Sequence, residues 1–218
     1  MPILNASNLF LEDVHRLLRL EEQSTGSFTT LLTLELLTEI EQQEVWQIRT
    51  DFLHYISGGK IYEGLVKFLA LAPLMRLAGF YRYPIKIRLE ESIADIEIED
   101  EDTKITGRMD ILAVNKAIQT ITGIPFWVLV IETKNSLAEV FAGLPQLLTY
   151  AYKSLEHQTS VWGLVTNGLR YQFVYLQSGT PPTYQLLPEL NLIEPERTIQ
   201  LLQVLKAICN LQNGASPV

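Results

Sequence analysis

Three residues in the middle of the chain have the types and spacing needed to hydrolyse a phosphodiester. Glu132 and Lys134 lie two apart, and Asp110 precedes them in the sequence. Side chains two apart on a strand project from the same face, so this carboxylate and this ammonium would lie side by side. Carboxylates on neighbouring strands can hold Mg²⁺, and a nearby ammonium can stabilise charge on a phosphoryl group. The three residues therefore predict metal-dependent hydrolysis.

The triplet Glu132-Thr-Lys134 also has a simpler interpretation. Short motifs of this kind are common, and a strand that reaches solvent often ends in an ordinary ion pair. Two features favour the site: Gly-Arg-Met-Asp occupies 107–110, at a suitable distance, and a capped helix is expected after Asn135. The triplet also closes an apolar strand. A charge at the end of a buried strand is costly without partners, whereas mutual pairing and a bound cation offset that cost.

Strands must place these residues. The run at 125–131 is apolar on both alternating faces, which is typical of a central strand covered by helices on each side. A hairpin precedes it: Ile96 to Glu99 form one strand, 100–103 the turn, and 104–114 the return strand. Alternation along the return strand predicts Met109 and Ile111 on one face and Asp110 on the other.

Helices and further strands complete the expected domain. An amphipathic helix is predicted over 61–79, with Pro73 kinking it. Ser136 and Glu139 have the spacing of a capping box that begins another helix. The remaining predicted elements are strands at 161–166 and 171–176, joined by a turn at Asn167-Gly168, and a helix at 194–211. Residues 31–40 fit either a helix or a strand, so 1–55 form an N-terminal appendage of uncertain structure.

Composition limits the class of protein. With 218 residues, 47% hydrophobic and 19% charged, the chain is expected to fold as one domain, 1–218. No signal peptide or membrane span is visible, so a cytoplasmic protein is expected. One cysteine and three scattered histidines exclude an intramolecular disulfide and argue against a Cys/His zinc site. The net charge of −8 argues against tight unassisted DNA binding, although most acidic residues precede residue 104.

These segments together resemble a known family. The sequences at 107–114 and 127–135, followed by Gln-x-x-x-Tyr at 146–150, are similar to the nuclease domain at the N-terminus of type I restriction enzyme R subunits. That family has a PD-(D/E)xK core, and the resemblance covers 59–176. It implies an α/β restriction-endonuclease-like fold, in which a mixed sheet is flanked by helices. Met109 stands where the motif has proline.

The resemblance also implies roles for individual residues. Asp110 and Glu132 would be metal ligands, and Lys134 would be the catalytic lysine. Gln146 and Tyr150 would assist near the site or the DNA. Their spacing alone is equally consistent with a simpler interpretation, in which Tyr150 is a buried core residue and Gln146 has no role in the site.

Two further residues have open interpretations. Glu63 lies where related nucleases keep an additional acidic residue, but a Glu at a helix start is commonly a surface residue. Arg108 either contacts a phosphate or forms an ion pair. The chain has no Gly-x-x-x-x-Gly-Lys-Ser/Thr loop, so neither an ATP site nor an ATP-driven motor is expected in it.

The sequence thus predicts a Mg²⁺- or Mn²⁺-dependent endonuclease acting on DNA. The metal ligands would be Asp110, Glu132 and the backbone carbonyl of Thr133, and Lys134 would position the attacking water. Besides DNA, the possible partners are a separate motor or specificity subunit and a second copy of this chain in a homodimer. No association with a membrane is expected. Two alternatives stay open: a catalytically inactive interaction or regulatory module with a nuclease fold, and a structure-specific DNA repair nuclease.

Overall fold

The mixed α/β class expected from the sequence is confirmed. A computed structural model describes residues 2–93, 95–98, 102–120 and 122–211 of the chain. In this part of the chain, helices flank a mixed sheet of eight strands, and a separate sheet has three strands. No helix in these ranges is both long enough and apolar enough to span a bilayer.

The strands, numbered in chain order, fall into these two sheets. They are β1 (Ile3–Asn5), β2 (Glu21–Gln23), β3 (Ile85–Ser92), β4 (Ile96–Ile98), β5 (Thr103–Thr106), β6 (Arg108–Gln119), β7 (Pro125–Thr133), β8 (Ser160–Thr166), β9 (Arg170–Gln177), β10 (Thr183–Leu186) and β11 (Leu190–Asn191). The large sheet has the order β2-β10-β9-β8-β7-β6-β3, with β11 beside β9, and the small sheet has the order β1-β5-β4. In the large sheet β6 is antiparallel to β3 and β7, while β7 and β8 are parallel.

The helices pack on both faces of the large sheet. They are α1 (Leu11–Leu18), α2 (Phe28–Leu31), α3 (Glu39–Ser57), α4 (Glu63–Val66), α5 (Ala72–Ala78), α6 (Leu144–Ser154) and α7 (Pro195–Asn210). One hydrophobic cluster includes residues of α3, α5 and α7 with Leu129 and Ile131 of β7. The other includes residues of α1 and α6 with Val130. The prediction that β7 is a central strand buried on both faces is confirmed.

The predicted helix before the hairpin is present and contains an irregular turn. A π-helical turn, Lys67–Leu71, joins α4 to α5. Pro73 follows immediately, in the first turn of α5. Proline has no N–H to donate to the preceding turn, and a wider π turn accommodates that missing bond within a continuous helix.

The predicted return strand divides at Gly107. β5 pairs with β4 in the small sheet, while β6 joins the large sheet, so the chain changes sheets between them. A Cβ atom on Gly107 would lie 2.6 Å from a ring carbon of Tyr150, so only glycine fits there without a shift. The predicted alternation is wrong before Ile111: Ile105 and Met109 pack in the cluster of Leu112 rather than in that of Ile111. The break falls at Asp110, where the pairing of β3 with β6 is interrupted and Glu90 of β3 has a φ of 54°. Of the predicted turn, residues 100 and 101 lie outside the described residues.

The helix predicted to begin at Ser136 begins later. A 3₁₀ turn occupies Val140–Gly143, and α6 starts at Leu144 with Pro145 in its first turn. The hydroxyl of Ser136 instead accepts a hydrogen bond from the backbone N–H of Ile61, at 2.9 Å. The Ser136 hydroxyl therefore bonds to a distant residue instead of capping a helix. The local sequence pattern could not reveal this distant partner.

The segments whose structure the sequence left open contribute to both clusters. Residues 32–38 form neither helix nor strand, and α3 begins after Thr38, whose side chain accepts from the N–H of Glu41. Phe52 of α3 is buried in one cluster and Val14 of α1 in the other. At the predicted turn after β8, Gly168 has a φ of 86°.

Candidate active site

Two neighbouring strands bring the predicted carboxylates to the same end of the sheet. β6 and β7 are antiparallel, with Ile111 opposite Ile131. Asp110 and Glu132 come next on their respective strands, on the side of the pair away from the β6–β7 turn. Lys134 follows the end of β7 directly. The pairing of strands that the sequence predicted is therefore present.

Glu132 and Lys134 form an ion pair that is largely buried. The Lys134 ammonium lies 2.8 Å from Glu132 Oε1, and the side chains are 20% and 4% exposed, respectively. The pKa of Glu132 is raised to about 7, because burial and the Asp110 carboxylate raise it by more than Lys134 lowers it. The second oxygen, Oε2, is buried and has no hydrogen-bond partner among the described residues. Glu132 thus keeps one oxygen free inside the fold.

Asp110 has partners on both carboxylate oxygens. Oδ1 lies 2.7 Å from the ammonium of Lys67, which also reaches Glu90 Oε1 at 3.3 Å. Oδ2 accepts from the backbone N–H of Thr133 at 2.7 Å and from the Thr133 hydroxyl. Sequence reasoning missed Lys67, whose partner lies 43 residues away in the chain. The sequence around Lys67 gives no comparable signal, but in the structure this residue begins a π-helical turn, and such turns are frequent at functional sites.

Gln146 and Tyr150 connect Lys134 to the start of β6. Lys134 Nζ donates to Gln146 Oε1 at 3.2 Å, and Gln146 Nε2 donates to the Tyr150 hydroxyl at 2.9 Å. The same hydroxyl accepts from the backbone N–H of Arg108 at 3.2 Å. Gln146 and Tyr150 share one face of α6, one turn apart, as their spacing predicts. Their contacts hold Lys134 against the sheet.

Gly143 allows the chain to pass close over the ion pair. A Cβ atom there would lie 2.6 Å from Val165 Cγ1, 3.0 Å from Lys134 Cε and 3.3 Å from Glu132 Cγ. The sequence indicated only that Gly143 would bend a helix. Its tight packing against Glu132 and Lys134 keeps the ion pair out of solvent on that side.

The two remaining predicted residues lie nearby. Glu63 begins α4, and its charge contributes to the raised pKa of Glu132, although less than burial and Asp110 do. Arg108 is 63% exposed, and its Nε lies 3.0 Å from Glu90 Oε2. Of the two interpretations of Arg108, the structure contains the ion pair.

The side chains suit a divalent cation at one point and resist it at another. Within the described ranges, no group of three or more His, Cys, Asp or Glu side chains is placed to hold a metal ion. The donors at hand are the free Glu132 Oε2 and the oxygens of Asp110, hard ligands of the kind that Mg²⁺ prefers. Asp110 Oδ1 would become available by exchange with the Lys67 ammonium. The chemistry of these donors suits a divalent cation, which would leave most of its remaining positions to water.

Comparison with known proteins finds structural likenesses without a matching protein family. No protein-family model matches the sequence, and no curated protein matches it. A fragment described as an HsdR subunit of a type I restriction enzyme from Vibrio vulnificus YJ016 has a similar chain course, with a TM-score of 0.38 and 19% identity. The match covers 66% of this chain, which spans 25% of the length of that one. A likeness of this extent concerns the fold and not the chemistry.

Proposed function

We propose that this chain is a Mg²⁺- or Mn²⁺-dependent endonuclease that hydrolyses DNA phosphodiester bonds. Asp110, Glu132 and the backbone carbonyl of Thr133 would hold the cation, and Lys134 would act on the substrate. The observation that carries the proposal is the buried carboxylate of Glu132, which is paired with Lys134 at 2.8 Å and whose Oε2 has no partner within the described ranges. An unsatisfied buried carboxylate oxygen is costly, and a cation would remove that cost.

The acidity of Glu132 supports a cation at this position. Its pKa is raised to about 7, mainly by burial and next by the neighbouring Asp110 carboxylate. The protein alone therefore stabilises the ionised form poorly. A pKa this far from the usual value for Glu, in a group with a specific charge partner, is typical of functional sites. A divalent cation would favour the ionised form of both carboxylates.

The protein side chains divide the chemical work. The Lys134 ammonium has three N–H donors, of which two point to Glu132 and Gln146, so one is left for a phosphate oxygen or a water. The hydrogen bond from Gln146 to Tyr150 limits the rotation of the amide that Lys134 contacts. When bound, a divalent cation would supply positive charge that polarises the phosphoryl group. Lys134, fixed in place, adds charge as the transition state forms.

A second candidate function is a non-catalytic interaction or regulatory module, and one observation favours it. Both oxygens of Asp110 are already bonded, Oδ1 to Lys67 and Oδ2 to Thr133. In this alternative two lysines neutralise two carboxylates permanently, and the site is a structural ion-pair network.

For both candidate functions, the proposed location is the cytoplasm. Any ATP-driven step would come from a separate motor subunit, and a homodimer would be compatible with the proposal.

Cleavage assays separate the two functions. The purified chain is incubated with supercoiled, linear, single-stranded and branched DNA, with Mg²⁺ or with EDTA. We expect Mg²⁺-dependent cleavage of at least one substrate, lost in Glu132→Gln and in Asp110→Asn. Glu139→Gln, which removes an exposed carboxylate next to the same segment, is the matched control and should cleave normally. Cleavage by Glu132→Gln at the rate of the unmodified chain would reject the proposal.

A further inference from the structure

An apolar groove runs along the free edge of the large sheet, next to the candidate site. It has a volume of about 570 Å³ and lies between the helix at 63–78 and strand β3. In the part of the chain that the structure describes, β3 is the last strand of its sheet, so one of its edges is unpaired. The volume is in the range of pockets that hold small organic groups.

Aromatic side chains make up much of the exposed lining. Phe68 is 72% exposed and Tyr81 is 52% exposed, and Leu89 on β3 is 64% exposed. Buried Phe80 contributes to the same wall. Single exposed apolar side chains are common on protein surfaces. Several that line the same concave surface instead indicate a binding site.

The charged side chains that line the groove are basic, and the ammonium of one of them, Lys67, is paired with Asp110 and Glu90. Lys67 and Lys86 are the charged residues that line it, as far as the described ranges extend. The chain as a whole has a net charge of −8. Cations beside aromatic faces are the combination that binds single strands of nucleic acid, where lysines follow the phosphates and rings stack on bases.

The groove is continuous with the candidate site through Lys67. This residue lines the groove, and its ammonium lies 2.7 Å from Asp110 Oδ1. A nucleotide held in the groove would thus place its neighbouring phosphate close to the carboxylate that is proposed to hold the cation. The groove and the site would then bind adjacent parts of one strand.

We propose that this groove binds an unpaired nucleotide of the DNA substrate, with its base against Phe68 and Tyr81 and its phosphate near Lys86 and Lys67. The substrate class is DNA with a single-stranded segment, either a free single strand or a branched structure. The inference rests on the proposed function and specifies its substrate. Paired DNA buries the faces of its bases within the stack, so a duplex cannot present them to Phe68 and Tyr81.

The acidity of the chain supports the same choice. Duplex binding without base contacts depends on many cations that neutralise phosphates. Residues before position 104 hold most of the acidic side chains of this chain, including Glu90 beside Lys67. A site that gains affinity from aromatic stacking and only a few lysines is consistent with this charge balance.

Fluorescence anisotropy with labelled oligonucleotides in EDTA tests the groove without requiring cleavage. We expect the single strand to bind more tightly than the duplex of the same sequence. The double variant Phe68→Ala/Tyr81→Ala should weaken single-strand binding by about tenfold, since stacking on aromatic rings contributes strongly to such binding. The single variant Lys86→Glu should also weaken single-strand binding, and the loss of affinity should be larger at low salt than at high salt. Phe10→Ala, which removes a ring with 76% exposure on another surface, should bind normally.

The outcomes separate the groove from the proposed function. Equal binding by the unmodified chain and Phe68→Ala/Tyr81→Ala, or tighter binding of the duplex, would overturn the groove and leave it to another occupant, such as an extended peptide. Binding that depends on Phe68 and Tyr81, without cleavage in Mg²⁺, would support the groove and contradict the nuclease. Thermal unfolding of each variant checks that the fold is retained, as the exposure of both rings predicts.

Discussion

The ammonium of Lys67 lies 2.7 Å from Oδ1 of Asp110, where a cation ligand of the proposed site would be needed. Lys67 comes from a π-helical turn and Asp110 from β6, so packing of the helix at 63–78 on the sheet creates the contact. A divalent cation that uses Oδ1 must displace this ammonium. In the proposed site, Lys67 would therefore compete with a metal ion for Asp110.

Removing Lys67 should increase the affinity for metal. Replacing Lys67 with Met frees Asp110 Oδ1, and a charge-assisted hydrogen bond of this kind contributes about 1.5 kcal/mol. We expect the Kd for Mn²⁺, measured by isothermal titration calorimetry, to fall by about tenfold. Lys116→Met, which removes an exposed lysine from the same sheet, should leave it unchanged. An equal or weaker affinity in Lys67→Met would show that the ammonium does not compete.

The ion pair of Glu132 and Lys134 should contribute to stability only as a pair. Replacing Lys134 alone with Met leaves the buried Glu132 carboxyl without its cation, which should raise its pKa further and, at a pH above that pKa, lower the free energy of unfolding by about 3 kcal/mol. Glu132→Gln/Lys134→Met removes both charges and should recover most of that loss. Urea unfolding of the two single variants and the double variant provides the cycle. Losses that simply add would contradict a direct interaction.

The Tyr150 hydroxyl should matter more for cleavage than for stability. Tyr150→Phe removes the acceptor of the bonds from Gln146 and from the N–H of Arg108, at a cost of about 1 kcal/mol in unfolding free energy. Gln146 is then free to rotate away from Lys134, so we expect a lower kcat with a nearly unchanged KM. Tyr152→Phe, on the same helix, is the control. A change confined to KM would instead indicate a role in substrate binding.

His157 should make the protein less stable in mild acid. Burial lowers the pKa of His157 below its ordinary value of 6.5, and its Nε2 has no partner among the described residues. The unfolded chain therefore takes up a proton more readily than the folded one. The free energy of unfolding should be unaffected by this group above pH 6.5 and should decline as the pH falls below that value. His157→Gln should reduce the decline in stability, whereas His54→Gln, at an exposed position, should not. Identical pH profiles for the unmodified chain and both variants would exclude His157 as the cause.

Local patterns predicted the strands that carry the site. The apolar run of β7 and the two-residue spacing of Glu132 and Lys134 depend on alternation along one strand, which needs no knowledge of the rest of the chain. The spacing of Gln146 and Tyr150 likewise depends only on one helical turn. These features are local in sequence, and the structure places them as expected.

Features that depend on distant partners were not predictable in the same way. Lys67 lies on a helix surface, where a lysine usually faces solvent, and only the packing of that helix brings it to Asp110. Ser136 has the signature of a helix cap, but Ile61 takes its hydroxyl. The short strands β1, β2 and β10 are stabilised by their neighbours in the sheets rather than by any alternation of their own.

Binding of Mn²⁺, followed by isothermal titration calorimetry, tests the central claim that Asp110 and Glu132 share a cation. The unmodified chain should bind Mn²⁺ saturably, and both Asp110→Asn and Glu132→Gln should abolish that binding while retaining the fold by circular dichroism. Glu139→Gln should titrate like the unmodified chain. Absence of saturable binding to the unmodified chain, or undiminished binding by either site variant, would contradict the metal site and the nuclease activity proposed from it.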